Sequence, residues 1–167
     1  DIEDDCVDWA GGYRLPTTTE WEYAARGGLS GKRFPWGDTI SHSQANYIAQ
    51  PGSVAYDVSA TSGYHPNYSG GSEPYTSPRG SFPPNGYGLY DMSGNVWDWC
   101  WDRYASYTSV EQTDPVGPGS GSDRVVRGGD WDVEPYGTRS AHRYPINYSR
   151  DCIGFRVCSA GATTALG

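Results

Sequence analysis

The segment from Gly31 to Pro84 constrains the fold most, because its apolar residues repeat with neither the helical nor the strand period. The whole chain carries 23 Gly and 12 Pro, residues that mark turns and interrupt regular elements. Disordered chains can share this composition, but they are poor in aromatic residues, and this chain has 7 Trp and 14 Tyr. We therefore expect a folded, irregular α+β domain with few helices, short twisted sheets and much loop.

A single helix is predicted near the N-terminal end. Thr17 and Glu20 have the spacing of a capping box, in which each side chain satisfies the backbone N–H of the other residue. Trp21 and Ala25 then fall on one face of a helix, and Gly27 supplies a left-handed stop. The predicted helix covers residues 17–26.

Three strands are predicted in the second half of the chain. Residues 96–102 alternate strictly, which places Trp97, Trp99 and Trp101 on one face of a strand. Residues 124–127 and 153–158 are shorter candidates bounded by Gly. We expect one domain over residues 1–158 and a tail over residues 159–167, with residues 130–152 as a polar, turn-rich loop.

Charge and cysteine spacing exclude several classes of protein. The net charge of −8 argues against nucleic acid as a partner, because binding phosphates needs clustered Lys and Arg. No apolar run reaches the roughly 20 residues that span a bilayer. Cys6, Cys100, Cys152 and Cys158 include no C-x-x-C pair, which argues against a zinc site. Buried thiols and one structural disulfide both remain open.

Four blocks of sequence, in this order and spacing, resemble the formylglycine-generating enzyme (sulfatase-modifying factor) family over nearly the whole chain. The blocks are Tyr13–Thr17, Glu20–Gly28, Asn85–Trp99 and Arg124–Trp131, and the last continues to Gly154–Val157. The resemblance implies a C-type-lectin-like fold. It also implies that an N-terminal portion of the family domain is missing, since 13 residues precede the Arg-Leu-Pro-Thr sequence.

The resemblance implies structural calcium at two places. At the first, the family pattern assigns the side chains of Asp91 and Asp98 and the carbonyls of Gly94 and Val96, a mixture of oxygens that suits calcium. At the second it assigns Asn46 and the carbonyl of Tyr47, followed by an acid. The expected acid is missing near Gly70, and Asp57 and Glu73 are the nearest substitutes.

The resemblance also locates the family's chemistry, which requires two cysteines to hold Cu(I). Those places fall on Val133 and Thr138, neither of which can supply a thiolate. We therefore expect no copper site and no catalytic residue. The alternative is a divergent copper-dependent oxidase of protein cysteine that uses Cys152 or Cys158.

The predicted function is that of a ligand-binding or interaction module whose binding face is the loop over residues 130–152. Tyr, Ser, Asn, Gly and Arg are typical of binding loops. Some proteins with this fold are diversified variable proteins, and their variable positions fall in this segment. The expected ligand is a protein or another extracellular molecule, and the alternatives are an ordinary loop or a self-assembling structural subunit. The candidate ligand-binding residues are Trp131, Tyr136, Arg139, Arg143, Tyr144 and Tyr148.

Overall fold

The computed structural model describes residues 11–70 and 75–159 of the 167. One helix and six short strands occur in the described residues. In chain order they are β1 (Tyr13–Arg14), α1 (Thr18–Arg26), β2 (Trp97–Arg103), β3 (Arg124–Arg127), β4 (Tyr144–Ile146), β5 (Ile153–Phe155) and β6 (Cys158–Ser159). The irregular α+β architecture predicted from the sequence is confirmed.

The helix α1 has the predicted ends. The Thr17 hydroxyl accepts the Glu20 N–H at 3.2 Å, and the Glu20 carboxylate accepts the Thr17 N–H at 2.8 Å. Gly27 ends the helix with φ of 54° and donates its N–H to the Ala24 carbonyl. On the inner face of α1, Trp21 and Ala25 are buried in a cluster with Cys100, Val125 and Met92.

Four strands form one sheet in the order β4-β3-β2-β5. Strand β2 is antiparallel to β3 and parallel to β5. A second cluster of buried residues forms around this sheet, and it contains Trp97, Val126, Trp131, Ile146 and Cys152. The sheet is therefore covered by α1 and by the loop that follows β3.

Three features of the strands differ from the prediction. Residues 144–146 form edge strand β4 instead of loop, and edge strands tolerate Pro145 because its missing N–H can face solvent. The predicted strand over residues 153–158 is divided, since Arg156 turns its side chain to Asp98 and the chain leaves the sheet. Ser159, the first residue of the predicted tail, lies in β6 and pairs with Tyr13 of β1.

The irregular segment before β2 is held by amide side chains and a small apolar core. The Asn95 side chain accepts the Ser77 N–H at 2.8 Å and donates to the Ser77 carbonyl at 3.2 Å. The Asn46 carbonyl accepts the Asn95 N–H at 2.8 Å. A separate buried cluster supplies apolar packing, and it consists of Phe34, Ile40, Ala45, Tyr47 and Ala49.

Within residues 11–70 and 75–159, no helix is long and apolar enough to cross a membrane. Among the same residues, no group of three or more His, Cys, Asp or Glu side chains is arranged to hold a metal ion.

Candidate functional site

Val133 and Thr138, the two positions that the resemblance assigns to the family's cysteines, lie together against Gly129. A Cβ added at Gly129 would come within 2.8 Å of Thr138 Cγ2 and 3.0 Å of Val133 Cγ2. Thr138 is fully buried, and its hydroxyl donates to the Pro135 carbonyl at 3.1 Å. The fold thus brings these two positions together, but the side chains are a methyl-bearing hydroxyl and a hydrocarbon, which do not bind Cu(I).

The described cysteines are free thiols, and their surroundings keep them protonated. Burial, and then the hydrogen bond with Asp130, raise the pKa of Cys152 to about 12. Burial also raises the pKa of Cys100 and that of Cys158. Because the thiolate is the nucleophile and the metal ligand, none of the three has the environment of a reactive cysteine. Cys6 lies outside the described residues.

The first predicted calcium site lies on a strained turn. Asp91 and Asn95 are non-glycine residues with φ of 55° and 74°, and such conformations concentrate at functional sites. Between them, Gly94 has φ of 77°, and a Cβ there would lie 2.3 Å from the Asn46 carbonyl oxygen. Only glycine fits at this position of the turn.

Asp91 and Asp98 line the same cleft, but their hydrogen bonding differs. Asp91 Oδ2 accepts the Gly80 N–H, whereas its buried Oδ1 has no hydrogen-bond partner. Asp98 Oδ2 accepts both Trp21 Nε1 at 2.9 Å and Arg156 Nε at 2.6 Å. Burial raises the pKa of Asp98, and Arg156 opposes that increase. Asp91 therefore has a free carboxylate oxygen that could bind calcium. A cation at Asp98 would share the Asp98 carboxylate with Arg156.

At the second predicted calcium site, Asp57 is one of the two acids that could complete the ligand set, and protein groups already bind its carboxylate. The Asp57 carboxylate accepts the Tyr47 hydroxyl at 2.9 Å, the Ser59 N–H at 3.0 Å and the Gln50 N–H. Burial by itself raises the pKa of Asp57, but these backbone donors outweigh burial and lower it. The Asn46 side chain donates to the Tyr75 carbonyl. Hydrogen-bond donors of the protein thus already satisfy the Asp57 carboxylate. Glu73 lies outside the described residues.

The loop over residues 130–152 presents three of the candidate aromatic residues to solvent. Tyr136 is 52% exposed, Tyr144 is 48% exposed and Tyr148 is 56% exposed. Trp131, by contrast, is 6% exposed and packs against Tyr75 with ring centroids 5.3 Å apart. Trp131 is therefore a core residue, and the ligand-binding set is reduced to the other five.

The candidate residues Arg139 and Arg143 line a cleft of about 390 Å³ between the end of α1 and the loop after β3. The same cleft is lined by His142 and by three cationic residues that the sequence did not single out: Arg26, Lys32 and Arg33. Burial, and then the charges of Arg139 and Arg127, lower the pKa of His142 to about 4. Arg26 belongs to the predicted helix, and Lys32 comes after the turn that ends it. No sequence pattern relates either residue to residues 139–143, which lie more than 100 positions later.

Arg127 is a further residue that sequence reasoning did not identify. It is fully buried on β3, and its guanidinium binds Glu22 Oε2 at 2.7 Å and the Thr18 hydroxyl at 2.7 Å. It also donates to the carbonyls of Ser140 and His142. Arg127 therefore fixes the loop that carries Arg139 and Arg143 against Thr18 and Glu22 of α1.

Comparison with known proteins adds to this geometry. The profile of the sulfatase-modifying factor enzyme 1-like domain matches residues 6–160. The formylglycine-generating enzyme of Mus musculus is 45% identical over 124 residues, covering 74% of this chain and 31% of that protein. The inactive C-alpha-formylglycine-generating enzyme 2 of Bos taurus is 34% identical over 160 residues, covering 90% of this chain and 45% of that protein.

A similar solved structure is that of Treponema denticola variable protein 1. It superposes with a TM-score of 0.70 at 32% identity, covering 90% of this chain and 49% of the other. The chain spans about a third of the length of the curated formylglycine-generating enzymes that it matches. Because the profile match covers nearly all of its residues, this chain belongs to the sulfatase-modifying factor (formylglycine-generating enzyme) family.

Proposed function

We propose that this chain is a non-catalytic ligand-binding or interaction module of the family, with the loop over residues 130–152 as its binding face. The observation that carries the proposal is the pair Val133 and Thr138, which both pack against Gly129 and which the family pattern assigns to the cysteines that hold copper. The raised pKa of Cys152 supports it further, since this thiol lies in the same loop. The alternative is a divergent oxidase of protein cysteine that uses Cys152 or Cys158.

The test of the catalytic alternative is direct. The chain is incubated with Cu(I), oxygen and a peptide containing Cys-x-Pro-x-Arg, and the peptide is analysed by mass spectrometry. We expect no aldehyde product and weak copper binding, because two adjacent soft ligands are required to hold Cu(I). Aldehyde formation that is lost in the Cys152→Ser variant would overturn the proposal.

The exposed tyrosines support a binding role for the loop. Tyr136, Tyr144 and Tyr148 present large amphipathic rings beside the half-buried Arg139 and Arg143, and Tyr and Arg dominate the binding energy of many interfaces. The fold similarity to a variable protein favours a diversified loop at this place. We propose a protein or another extracellular molecule as the ligand.

Binding is tested on an array of immobilised peptides and glycans. We expect the chain to bind a subset of the array, and the triple variant Tyr136→Ala, Tyr144→Ala, Tyr148→Ala to lose that binding while keeping its thermal melt. A control variant, Tyr13→Ala, changes an exposed tyrosine on β1 and should bind like the parent chain. Equal binding by the parent and triple variant would exclude the loop as the binding face.

Self-assembly into a structural subunit is the remaining alternative, and sedimentation of the free chain separates it from ligand binding. A ligand-binding module sediments as a monomer across a wide range of concentrations. A mass that grows with concentration would favour the structural subunit.

We also propose one structural calcium ion at Asp91 and Asp98. The partnerless, buried Oδ1 of Asp91 supports this proposal, because an unsatisfied buried oxygen is costly unless a donor or cation balances it. The carbonyls of Gly94 and Val96 complete the set that the family pattern assigns. A bound ion there would stabilise the turn that precedes β2.

A further inference from the structure

A cleft of about 390 Å³ beside the proposed binding face concentrates positive charge on a strongly acidic protein. Five of the chain's 12 Lys and Arg residues line it, and Arg127 lies directly beneath it. The five lining residues are Arg26, Lys32, Arg33, Arg139 and Arg143. This local charge is opposite in sign to the net charge of −8.

Acidic residues neutralise only part of this charge. Glu22 pairs with both Arg26 and Arg127, each at 2.7 Å. Asp38 pairs with Lys32 at 2.6 Å and lies 3.8 Å from Arg33. Among the described residues, these six cations form ion pairs with two carboxylates only. The charges of Arg127 and Arg143 also act on the Asp102 carboxyl, whose pKa is raised by burial. Positive charge therefore remains in excess around the cleft.

Arg139 and Arg143 form no ion pair within the part of the chain that the structure describes. Arg139 Nε donates to the Tyr136 carbonyl at 2.8 Å, and Arg143 Nη2 donates to the Ala105 carbonyl at 3.0 Å. Arg143 also lies over the ring of Tyr107, 3.7 Å from its centroid. Each guanidinium is thus held in place by neutral groups and keeps its full charge and further N–H donors.

Hydrogen bonds to backbone carbonyls hold the segments around the cleft in place. The Ser140 N–H donates to the Arg33 carbonyl at 2.8 Å, and Arg26 Nη1 donates to the Lys32 carbonyl at 3.1 Å. On the other side, Arg127 holds the carbonyls of Ser140 and His142. The backbone on both sides of the cleft and the Arg26 side chain are therefore held in place, which lowers the cost of ordering the cleft around a ligand.

We infer that this cleft binds a tetrahedral oxyanion, a phosphate or sulfate group, carried by the ligand of the adjacent loop. Guanidinium groups match such oxyanions because they offer parallel N–H donors as well as charge. A doubly charged oxyanion balances more of the local excess than a single carboxylate does. The inference rests on the proposed function and gives the chemical class of its ligand.

The test is a titration of the parent chain with inorganic phosphate and with sulfate, at an ionic strength held constant with sodium chloride. We expect saturable binding of at least one ion, and a Kd raised about ten-fold or more in Arg139→Gln and in Arg33→Gln. Arg33 is half exposed, so the second variant keeps the fold even where the first weakens it. Arg79→Gln removes one exposed charge outside the cleft and should leave the Kd unchanged.

A second measurement locates the ion. A bound anion stabilises the imidazolium of His142, so phosphate should raise the pKa of His142 in NMR titrations of the parent chain and not of Arg139→Gln. Titration with glucose 6-phosphate and galactose 6-sulfate distinguishes a free ion from an ester as the ligand. Absence of saturable binding, or an equal effect of Arg79→Gln, would overturn the inference.

Failure of this inference is separable from failure of the proposed function. If the array shows tyrosine-dependent binding but neither oxyanion binds, the loop is a binding face and the anionic class is wrong. If oxyanions bind but the triple tyrosine variant binds the array like the parent, the cleft is an independent anion site and the inference that it serves the loop's ligand is overturned.

Discussion

At the scale of single residues, burial separates the aromatic side chains that support the fold from those available to a ligand. Trp131 lies two residues after Gly129, is 6% exposed and contacts the rings of Tyr64 and Tyr75. Tyr148 lies further along the same loop and is 56% exposed. The two residues have similar chemistry, so their different roles come from position alone.

Replacing Trp131 should therefore destabilise the fold strongly, whereas replacing Tyr148 should leave its stability almost unchanged. Trp131→Ala should lower the free energy of unfolding by about 3–5 kcal/mol, because it leaves a cavity in the core. Tyr148→Ala should change it by less than about 0.5 kcal/mol. Urea denaturation of both variants measures the difference. Equal destabilisation by the two changes would show that the loop is structural.

His142 gives a residue-scale prediction for pH. Its pKa is lowered from 6.5 to about 4 in the folded chain, so the unfolded chain binds the proton more readily. The stability that neutral His142 contributes is fully present above 6.5 and is lost as the pH falls towards 4. The parent chain should therefore lose stability relative to His142→Gln between about pH 7.5 and pH 5.

The expected relative loss is about 1 kcal/mol, half of the value without solvent screening, because His142 is partly exposed. Denaturation of both chains at both pH values measures it, and the comparison cancels groups that titrate in both, such as His65. A difference that does not change with pH would show that His142 titrates normally.

At the scale of elements, one buried arginine joins the helix, the sheet and the binding loop. Arg127 lies on β3, binds Thr18 and Glu22 of α1, and holds two loop carbonyls. Its ring contact with Trp21, 5.5 Å from guanidinium to centroid, adds to this junction. The packing of α1 on the sheet therefore includes a charged centre as well as the apolar cluster around Trp21.

Removing the Arg127 side chain should strongly destabilise the fold. Arg127→Ala should lower the free energy of unfolding by about 3–5 kcal/mol, since it breaks a buried ion pair and leaves several polar groups without partners. Arg79→Ala, an exposed control, should stay within about 0.5 kcal/mol of the parent. Chemical denaturation compares the two. A small effect of Arg127→Ala would mean that water replaces its hydrogen bonds.

At the scale of the whole molecule, hydrogen bonds from asparagine side chains organise the loops. Asn46 and Asn95 connect residues 75–77 to the turn before β2, and Asn85 donates to the Ala24 and Ala25 carbonyls at the end of α1. A calcium ion at Asp91 would act at the same junction, because Arg156 connects the Asp91 carbonyl with Asp98.

Calcium should therefore raise the melting temperature of the whole domain. A ligand of the folded state adds about 2.7 kcal/mol at a hundredfold excess over its dissociation constant. Thermal melts with calcium and with chelator should differ for the parent chain and for the exposed control Asp151→Asn, and coincide for Asp91→Asn. We choose Asp91 because Asp98 also binds Trp21 and Arg156, so its loss destabilises the fold without calcium. Identical melts of the parent chain would exclude the ion.

The sequence by itself determined the local elements, because their signals are short-range. The reciprocal caps of Thr17 and Glu20, the stop at Gly27 and the alternation of residues 96–102 act over a few residues. The structure has helix α1 and strand β2 (Trp97–Arg103) at these places. Strand β4 was not predicted, because three residues are too few to show the alternation of a strand and their conformation depends on pairing with β3. The break after Phe155 was not predicted because Arg156 binds a carboxylate 58 residues away in the chain.

In the candidate site too, some residues could be identified from the sequence and others only from the tertiary structure. The exposed tyrosines and two of the arginines were identifiable from the composition of one continuous loop. The other cations of the cleft, Arg26, Lys32 and Arg33, lie more than 100 residues earlier in the chain than Arg139. Only the packing of α1 against β3 brings them together, because proximity between distant segments is set by tertiary contacts that no local sequence pattern records.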